Sequence, residues 1–300
     1  MKEIEFDKER LINWYDVHSK NYDDESFVQN DERYGGDKYR IELVSNTLSR
    51  LGVKKILDVG CGTSEPMLRF LKEGYDIRGF DLSPGMIEQS KIKLQKNGYS
   101  PELVEVGDIL DDNYISKYNE KFDAVIVNGV IPYLKDDNKA HENISKLIKN
   151  DGYFICVYCN ELFDLMTLNK FTMRFHVKNF IEPLSIDQVS KNQIISGLKS
   201  LLTMHNKPEL TKSGGARDDI FITSHNPMTI GNKLREYNLV VEDILFYKFH
   251  AFPPLLKSLF SEVDNLFVNE SRKYEIKFAR DWRGYFLAST FIVVARKKIL

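Results

Sequence analysis

The stretch Ile56-Leu57-Asp58-Val59-Gly60-Cys61-Gly62-Thr63 decides the fold. Four residues read as a buried strand, and two glycines break it. Glycine admits positive φ and lets a ligand approach the backbone closely. The segment that follows, Pro66–Glu73, has helical apolar spacing. A helix entered from a glycine turn offers free N–H groups and partial positive charge at its first turn. A nucleotide-like ligand is expected at the carboxyl ends of such strands.

Working outward, the same rhythm repeats. Lys38–Leu51 reads as a helix closed by Gly52, and Lys54–Val59 as the first strand. Ile77–Phe80 is a strand ending at Asp81, followed by a helix Pro84–Asn97 with Ser83 as its N-cap. Leu103–Val106 is a strand ending at Asp108, Phe122–Val127 another, Asp136–Lys149 a helix and Tyr153–Tyr158 a fifth strand. Short apolar strands alternating with helices predict an α/β fold whose mostly parallel sheet is covered on both faces. After Asn160 the rhythm lapses into a mainly helical insertion with a glycine hinge at Ser213-Gly214-Gly215. It resumes with a helix from Asn226 to about Tyr237, a strand Val240–Phe249, an amphipathic helix Leu255–Phe267 and a strand Tyr285–Ala295. Two late strands complete a Rossmann-like sheet of seven. The predicted division is a cap at 1–37, a ligand-binding core at 38–159, an insertion or lid at 160–225, and the rest of the core at 226–300.

Two ligands compete for the glycine turn. A dinucleotide fingerprint requires a small residue where Glu65 stands, and a carboxylate there repels a pyrophosphate. S-adenosylmethionine (SAM) has no phosphate, and both its amine and its sulfur are cationic. Asp58 suits that amine, directly or through water.

With its neighbours, Asp58-Val59-Gly60-Cys61-Gly62-Thr63 resembles the first motif of class I SAM-dependent methyltransferases. The resemblance covers residues 38–160 and, more loosely, the C-terminal strands. The third glycine of the motif is replaced by Ser64. The resemblance implies that Asp81, with Leu82 and Met86 beside it, holds the ribose hydroxyls, because a carboxylate accepts two donors. It implies that Asp108 meets the adenine amino group, with Ile109 against the base. It places Asn128, Gly129 and Val130, and then Tyr133, where methyl donor and acceptor meet. Gly60, Cys61 and Gly62 line the turn. The aromatic N-terminal segment, Trp14, Tyr15 and Tyr22, resembles the cap of ubiquinone- and sugar-type members. The clusters at His225-Asn226-Pro227, His250–Pro254 and Asp281–Gly284, including Trp282, resemble methyltransferases of bacterial surface-polysaccharide synthesis.

What remains is the acceptor. The chain has 300 residues, a formal net charge of -2 and mixed charge throughout, so no basic footprint for nucleic acid is present. Asn128–Tyr133 also lacks the motifs of base-modifying enzymes. A small polar metabolite is expected, a sugar or sugar nucleotide among them. If the acceptor is a hydroxyl or amine, a base can remove its proton, alignment alone being the alternative, and His225 and His250 are the candidates, with Tyr133 beside the acceptor. No metal is expected. The C-x-x-C of Cys156 and Cys159 lies in a strand, which sends residues three apart to opposite faces, so these read as core thiols. The charged first residues and the absence of a ~20-residue apolar run predict a cytoplasmic protein with no membrane segment. Oligomeric state is open. A non-catalytic SAM-binding subunit and, further off, a nicotinamide-dependent oxidoreductase are the alternatives.

Overall fold

The computed structural model describes residues 7–27, 36–118, 122–168, 170–203, 222–250, 272–275 and 277–298. Seven strands form one sheet: β1 (Lys55–Val59), β2 (Asp76–Asp81), β3 (Val104–Val106), β4 (Phe122–Val127), β5 (Ile148–Cys159), β6 (Leu239–Phe249) and β7 (Ala288–Lys297). Their order is β3-β2-β1-β4-β5-β7-β6. Only β7 runs against its neighbours, pairing antiparallel with both β5 and β6. The order reverses between β1 and β4, so the crevice for a ligand opens at their carboxyl ends.

Strand parity divides the core. Leu57 and Val59 of β1, Val125 and Val127 of β4, and Phe154, Cys156 and Tyr158 of β5 pack on one face. Ile56, Ala124, Ile126, Ile155 and Val157 pack on the other. That second face is covered by the helix Gly36–Leu51 (α3, after Lys8–His18 as α1 and Tyr22–Ser26 as α2), through Val44 and Leu48. Each fully buried side chain of this size contributes ~1.5–3 kcal/mol. Asp58 shares the parity of Ile56 and therefore points toward α3, which sets its surroundings.

The helices α4 (Glu65–Lys72) and α5 (Pro84–Lys96) follow β1 and β2. Ser83 caps α5 by accepting from the Met86 N–H at 3.0 Å. A short helix α6 (Asp112–Ser116), missing from the sequence reading, is capped by Asp111. Helix α7 is Asn138–Leu147, shorter than expected at both ends. The Asp137 carboxylate is drawn to His225 and Lys233 instead of capping it. The insertion contributes α8 (Lys170–His176), a π turn Val177–Ile181 and α9 (Gln188–Thr203) before α10 (Ile230–Arg235). The last strand starts later than expected, because Gly284–Leu287 forms one helical turn. There Gly284 is obligatory, since a Cβ would lie 2.2 Å from the Phe246 ring. The hinge at 213–215 and the helix at 255–267 lie outside the described residues. No helix among the described residues is long and apolar enough to cross a membrane.

Candidate cofactor and acceptor site

The glycine turn is held against β2. Phe80 O accepts from the N–H groups of Gly60 and Cys61 at 2.8 and 3.1 Å. Gly60 has φ +74°, and a Cβ there would sit 2.2 Å from Val130 Cγ2. Gly60→Ala is therefore expected to destabilise the fold by at least ~1–3 kcal/mol, from left-handed strain and overpacking, measured as a fall in the urea midpoint at unchanged slope. Ser64, in the place of the motif's third glycine, is itself left-handed at φ 62°. Its buried hydroxyl bonds that of Ser90 on α5, an anchor that glycine lacks.

Beyond the turn lies a cleft of about 830 Å³, including the part open to solvent. Its inner wall brings together Gly60, Gly62, Asp81, Leu82, Met86, Asp108, Ile109, Asn128, Gly129 and Val130. Tyr133 lies at one end, and Tyr15 and Tyr22 close the outer side. Asp81 Oδ2 accepts the Gly62 N–H and Oδ1 the Ser83 N–H, both at 2.9 Å. Those bonds fix the carboxylate and leave lone pairs toward the cleft. Burial raises its pKa, and the backbone donors oppose the rise. Asp108 accepts the Leu110 N–H at 2.8 Å and pairs with Lys8 at 2.6 Å.

Asp58 lies under the turn and is almost fully buried. One of its oxygens has no hydrogen-bond partner, and burial pushes its pKa up to about 7 against the opposing field of Arg40. Asn128 Oδ1 is a second buried acceptor without a partner. Arg40 of α3, which the sequence reading missed, pairs with Asp37 at 3.2 Å, and its Nε has no acceptor. Of the three, Asn128 lines the cleft, and the field of Arg40 reaches Asp58 behind it. Two lone acceptors and a lone guanidinium donor complement a zwitterion, such as an amino acid's ammonium and carboxylate.

Other residues lie elsewhere. Cys61 turns away from the cleft, its Sγ near Gly79, and is a buried core thiol. Cys156 is also buried and Cys159 half-buried. Trp14 stacks on His18 with centroids 4.1 Å apart instead of lining the cleft. Trp282 is 68% exposed. His250 packs against Phe163 at the end of β6. That strand is three places from β4, or roughly 14 Å at ~4.8 Å per step. His225 bridges to Asn160 at the end of β5, next to β4. Its Nε2 meets Asp137 Oδ2 at 2.6 Å, and its Nδ1 is buried without a partner. Two residues away, the Thr223 N–H donates to Pro132 O at 2.7 Å, beside Tyr133. No described residue of the insertion lines the cleft; its cover comes from the N-terminal segment.

Fold and cleft together define a class I, SAM-type nucleotide-binding domain. The chain belongs to the methyltransferase-domain family, which it matches over residues 52–217. S-adenosylmethionine is the cofactor of this family. A methyltransferase of Geobacillus sp. (strain WCH70) is 30% identical over 155 residues, covering 49% of this chain and 55% of that protein. A ubiquinone biosynthesis O-methyltransferase of Salmonella paratyphi A is 24% identical over 174 residues, covering 53% of this chain and 71% of that one. The chain thus spans little more than half the length of the first of these relatives. Among solved structures, magnesium protoporphyrin IX methyltransferase of Synechocystis PCC 6803, with bound S-adenosylhomocysteine (SAH), superposes with a TM-score of 0.57 at 12% identity. It covers 97% of this chain and 100% of its own. The [4+2]-cyclase SpnF gives 0.56 at 15% identity with 100% coverage of both chains, so the fold alone does not dictate methyl transfer.

Proposed function

We propose that this protein transfers the methyl group of SAM to a small-molecule acceptor held between Tyr133 and the N-terminal aromatics. The observation that carries the reading is the doubly anchored carboxylate of Asp81 in the cleft beside the lone acceptor of Asn128. The unpartnered buried groups of Asp58 and Arg40 lie behind the lining, where the fields of Arg40 and Asp81 both act on Asp58. In this reading Asp58 and Asn128 accept from the cofactor's ammonium and Arg40 donates to its carboxylate. Asp81 takes the two ribose hydroxyls, and Ile109 and Leu82 flank the base beside Asp108. The bound cofactor supplies an electrophilic methyl; the chain aligns the acceptor and excludes water. Tyr15 and Tyr22 are held as neutral phenols, since burial, the largest cause, raises both. They shape the acceptor space without supplying a base.

Kinship with ubiquinone O-methyltransferases supports a small acceptor with a hydroxyl. The narrower sugar or sugar-nucleotide reading rests on the clusters around His225, His250 and Trp282, none of which lines the cleft; the segment of the first is bonded through Thr223 to Pro132, beside Tyr133. The test is calorimetric titration with SAM, SAH and NAD, followed by SAH release with phenols and sugar nucleotides as acceptors. SAM and SAH bind and NAD does not. SAM binding without SAH release on either acceptor class favours the non-catalytic alternative.

A pH dependence follows from Asp58. Only its ionised form pairs with an ammonium, and its pKa of about 7 makes that form scarce in acid. Affinity for SAH therefore falls as pH drops, by about tenfold or more from pH 7.5 to 5.5. The apo-protein responds with the opposite sign. A raised folded pKa means that ionising Asp58 costs stability, so this group's contribution worsens as pH rises from about 4 to about 7. In Asp58→Asn the affinity is weaker and its acid dependence is lost. A flat wild-type profile would remove Asp58 from the ammonium site.

A further inference from the structure

We propose that Asp16 is a positioning residue for the bound cofactor: it latches the N-terminal cap onto the first turn of α5, and so holds Tyr15 over the cleft. The proposal rests on the cofactor reading above. Asp16 Oδ1 accepts the Gly85 N–H at 2.8 Å and also accepts from the Ser83 hydroxyl. Ser83 in turn caps α5 through the Met86 N–H. One carboxylate oxygen therefore fastens α1 to the segment that follows Asp81, and it lies close enough to add to the upward pull on the Asp81 pKa.

The seat is shaped for this contact. A Cβ on Gly85 would stand 2.9 Å from Asp16 Oδ1 and 3.0 Å from Asp16 Cα. The second atom is backbone, so a side chain at position 85 forces the cap helix itself away. Gly85 is an ordinary helical residue, with no left-handed φ to demand glycine; the docked cap is what demands it. Two further ties act in the same direction. Lys8 crosses the mouth of the cleft to Asp108 at 2.6 Å. Asp23 bonds the Thr63 hydroxyl in the glycine turn and the Lys93 ammonium of α5. All three tie the cap to elements that carry cofactor-site residues. Tyr15 follows Trp14 directly before the latch, and its ring meets that of Tyr133 at 5.9 Å. With the latch closed, Lys8, Leu11, Ile12, Tyr15 and Tyr22 form the outer wall, so a bound cofactor leaves only when the cap lifts.

The experiment measures SAH dissociation by stopped flow on the full chain, with calorimetric Kd and apo-protein Tm alongside. Asp16→Ala is expected to raise koff by about tenfold or more, the parameter that reports residence. Asp16→Asn keeps an oxygen that accepts both donors, and its koff stays within about threefold of wild type. Gly85→Ala retains the carboxylate but blocks the seat; it raises koff as Asp16→Ala does, and the double variant adds nothing further. A purely structural role lowers Tm and leaves koff unchanged. If koff in both single variants stays within about twofold of wild type, or the double variant is additive, the latch is overturned. Failure of the wild-type protein to bind SAH overturns the cofactor reading instead.

Discussion

Asp81→Ala weakens SAM binding by about a hundredfold or more. In the cofactor reading this carboxylate accepts two hydroxyl donors, and a hydrogen bond to a charged group contributes ~1.5–3 kcal/mol. Two such bonds amount to about 3–6 kcal/mol, or roughly 10²–10⁴ in Kd. The site adds to this figure. Both carboxylate oxygens are already aimed by the N–H groups of Gly62 and Ser83 at 2.9 Å, so little ordering is required on binding. Alanine also strips those two N–H groups of their acceptor and loosens the glycine turn. Asp81→Asn separates the effects: its carbonyl oxygen still serves one N–H, while its amide nitrogen faces a donor with a donor. Calorimetry with SAH reads both variants. Affinity within a few-fold of wild type in Asp81→Ala removes Asp81 from the ribose position.

Features that depend on neighbours in the chain were legible in the sequence. Strand parity, the glycine turn and the acids closing β2 and β3 are local patterns, and the cleft collects residues from all of them. Arg40 was missed because its place depends on a fact of three dimensions. Asp58 has the parity of Ile56, so it faces α3, and a buried arginine within one helical face of it becomes relevant only then. Lys8, Asp16 and Asp23 were missed for the same reason. Their partners lie 100, 67 and 70 positions away, and a surface-type Lys or Asp carries no signature of a distant contact. Ser83-Pro84-Gly85 did hold a clue. Glycine just inside a helix that already has a serine cap and a proline costs ~1 kcal/mol relative to alanine, and such a cost calls for a packing reason. Trp282 shows the converse: a polar-aromatic cluster looked functional and stands at the surface. Tyr285–Leu287 of the short helix reads as strand in the sequence because its aromatic residues suit either structure, and Gly284 against Phe246 decides between them.

His225→Gln lowers kcat by about 10²–10⁴, the usual contribution of a general base, on whichever hydroxyl or amine acceptor turns over. The two candidate histidines are separated by geometry. His250 stands at the end of β6 against Phe163, three strands from β4. His225 stands at the end of β5, with its chain bonded to the loop that carries Tyr133. Its surroundings suit a base. The Asp137 carboxylate receives Nε2 at 2.6 Å, which leaves Nδ1 as the ring's lone-pair nitrogen, and Nδ1 has no other partner. A base oriented by a third group is the arrangement that makes a weak acceptor nucleophilic. Asp137 is a dependable anchor. Burial would raise its pKa, but hydrogen bonds from His225 and Lys233 outweigh that and hold it well below the usual carboxylate range. It therefore stays ionised across pH 5–9. The neighbouring His141 is unsuited to the task, because burial pushes its pKa down to about 4 and its Nε2 is bonded to the Tyr158 hydroxyl at 2.8 Å. Asp137→Asn should then lower kcat through the wrong tautomer while SAH affinity holds, and combining it with His225→Gln should cost little beyond the single change. The measurement is kcat at saturating SAM across pH 5–9, with SAH affinity as the control for folding. If His225→Gln retains kcat within a few-fold, the acceptor is deprotonated elsewhere or reacts by alignment alone.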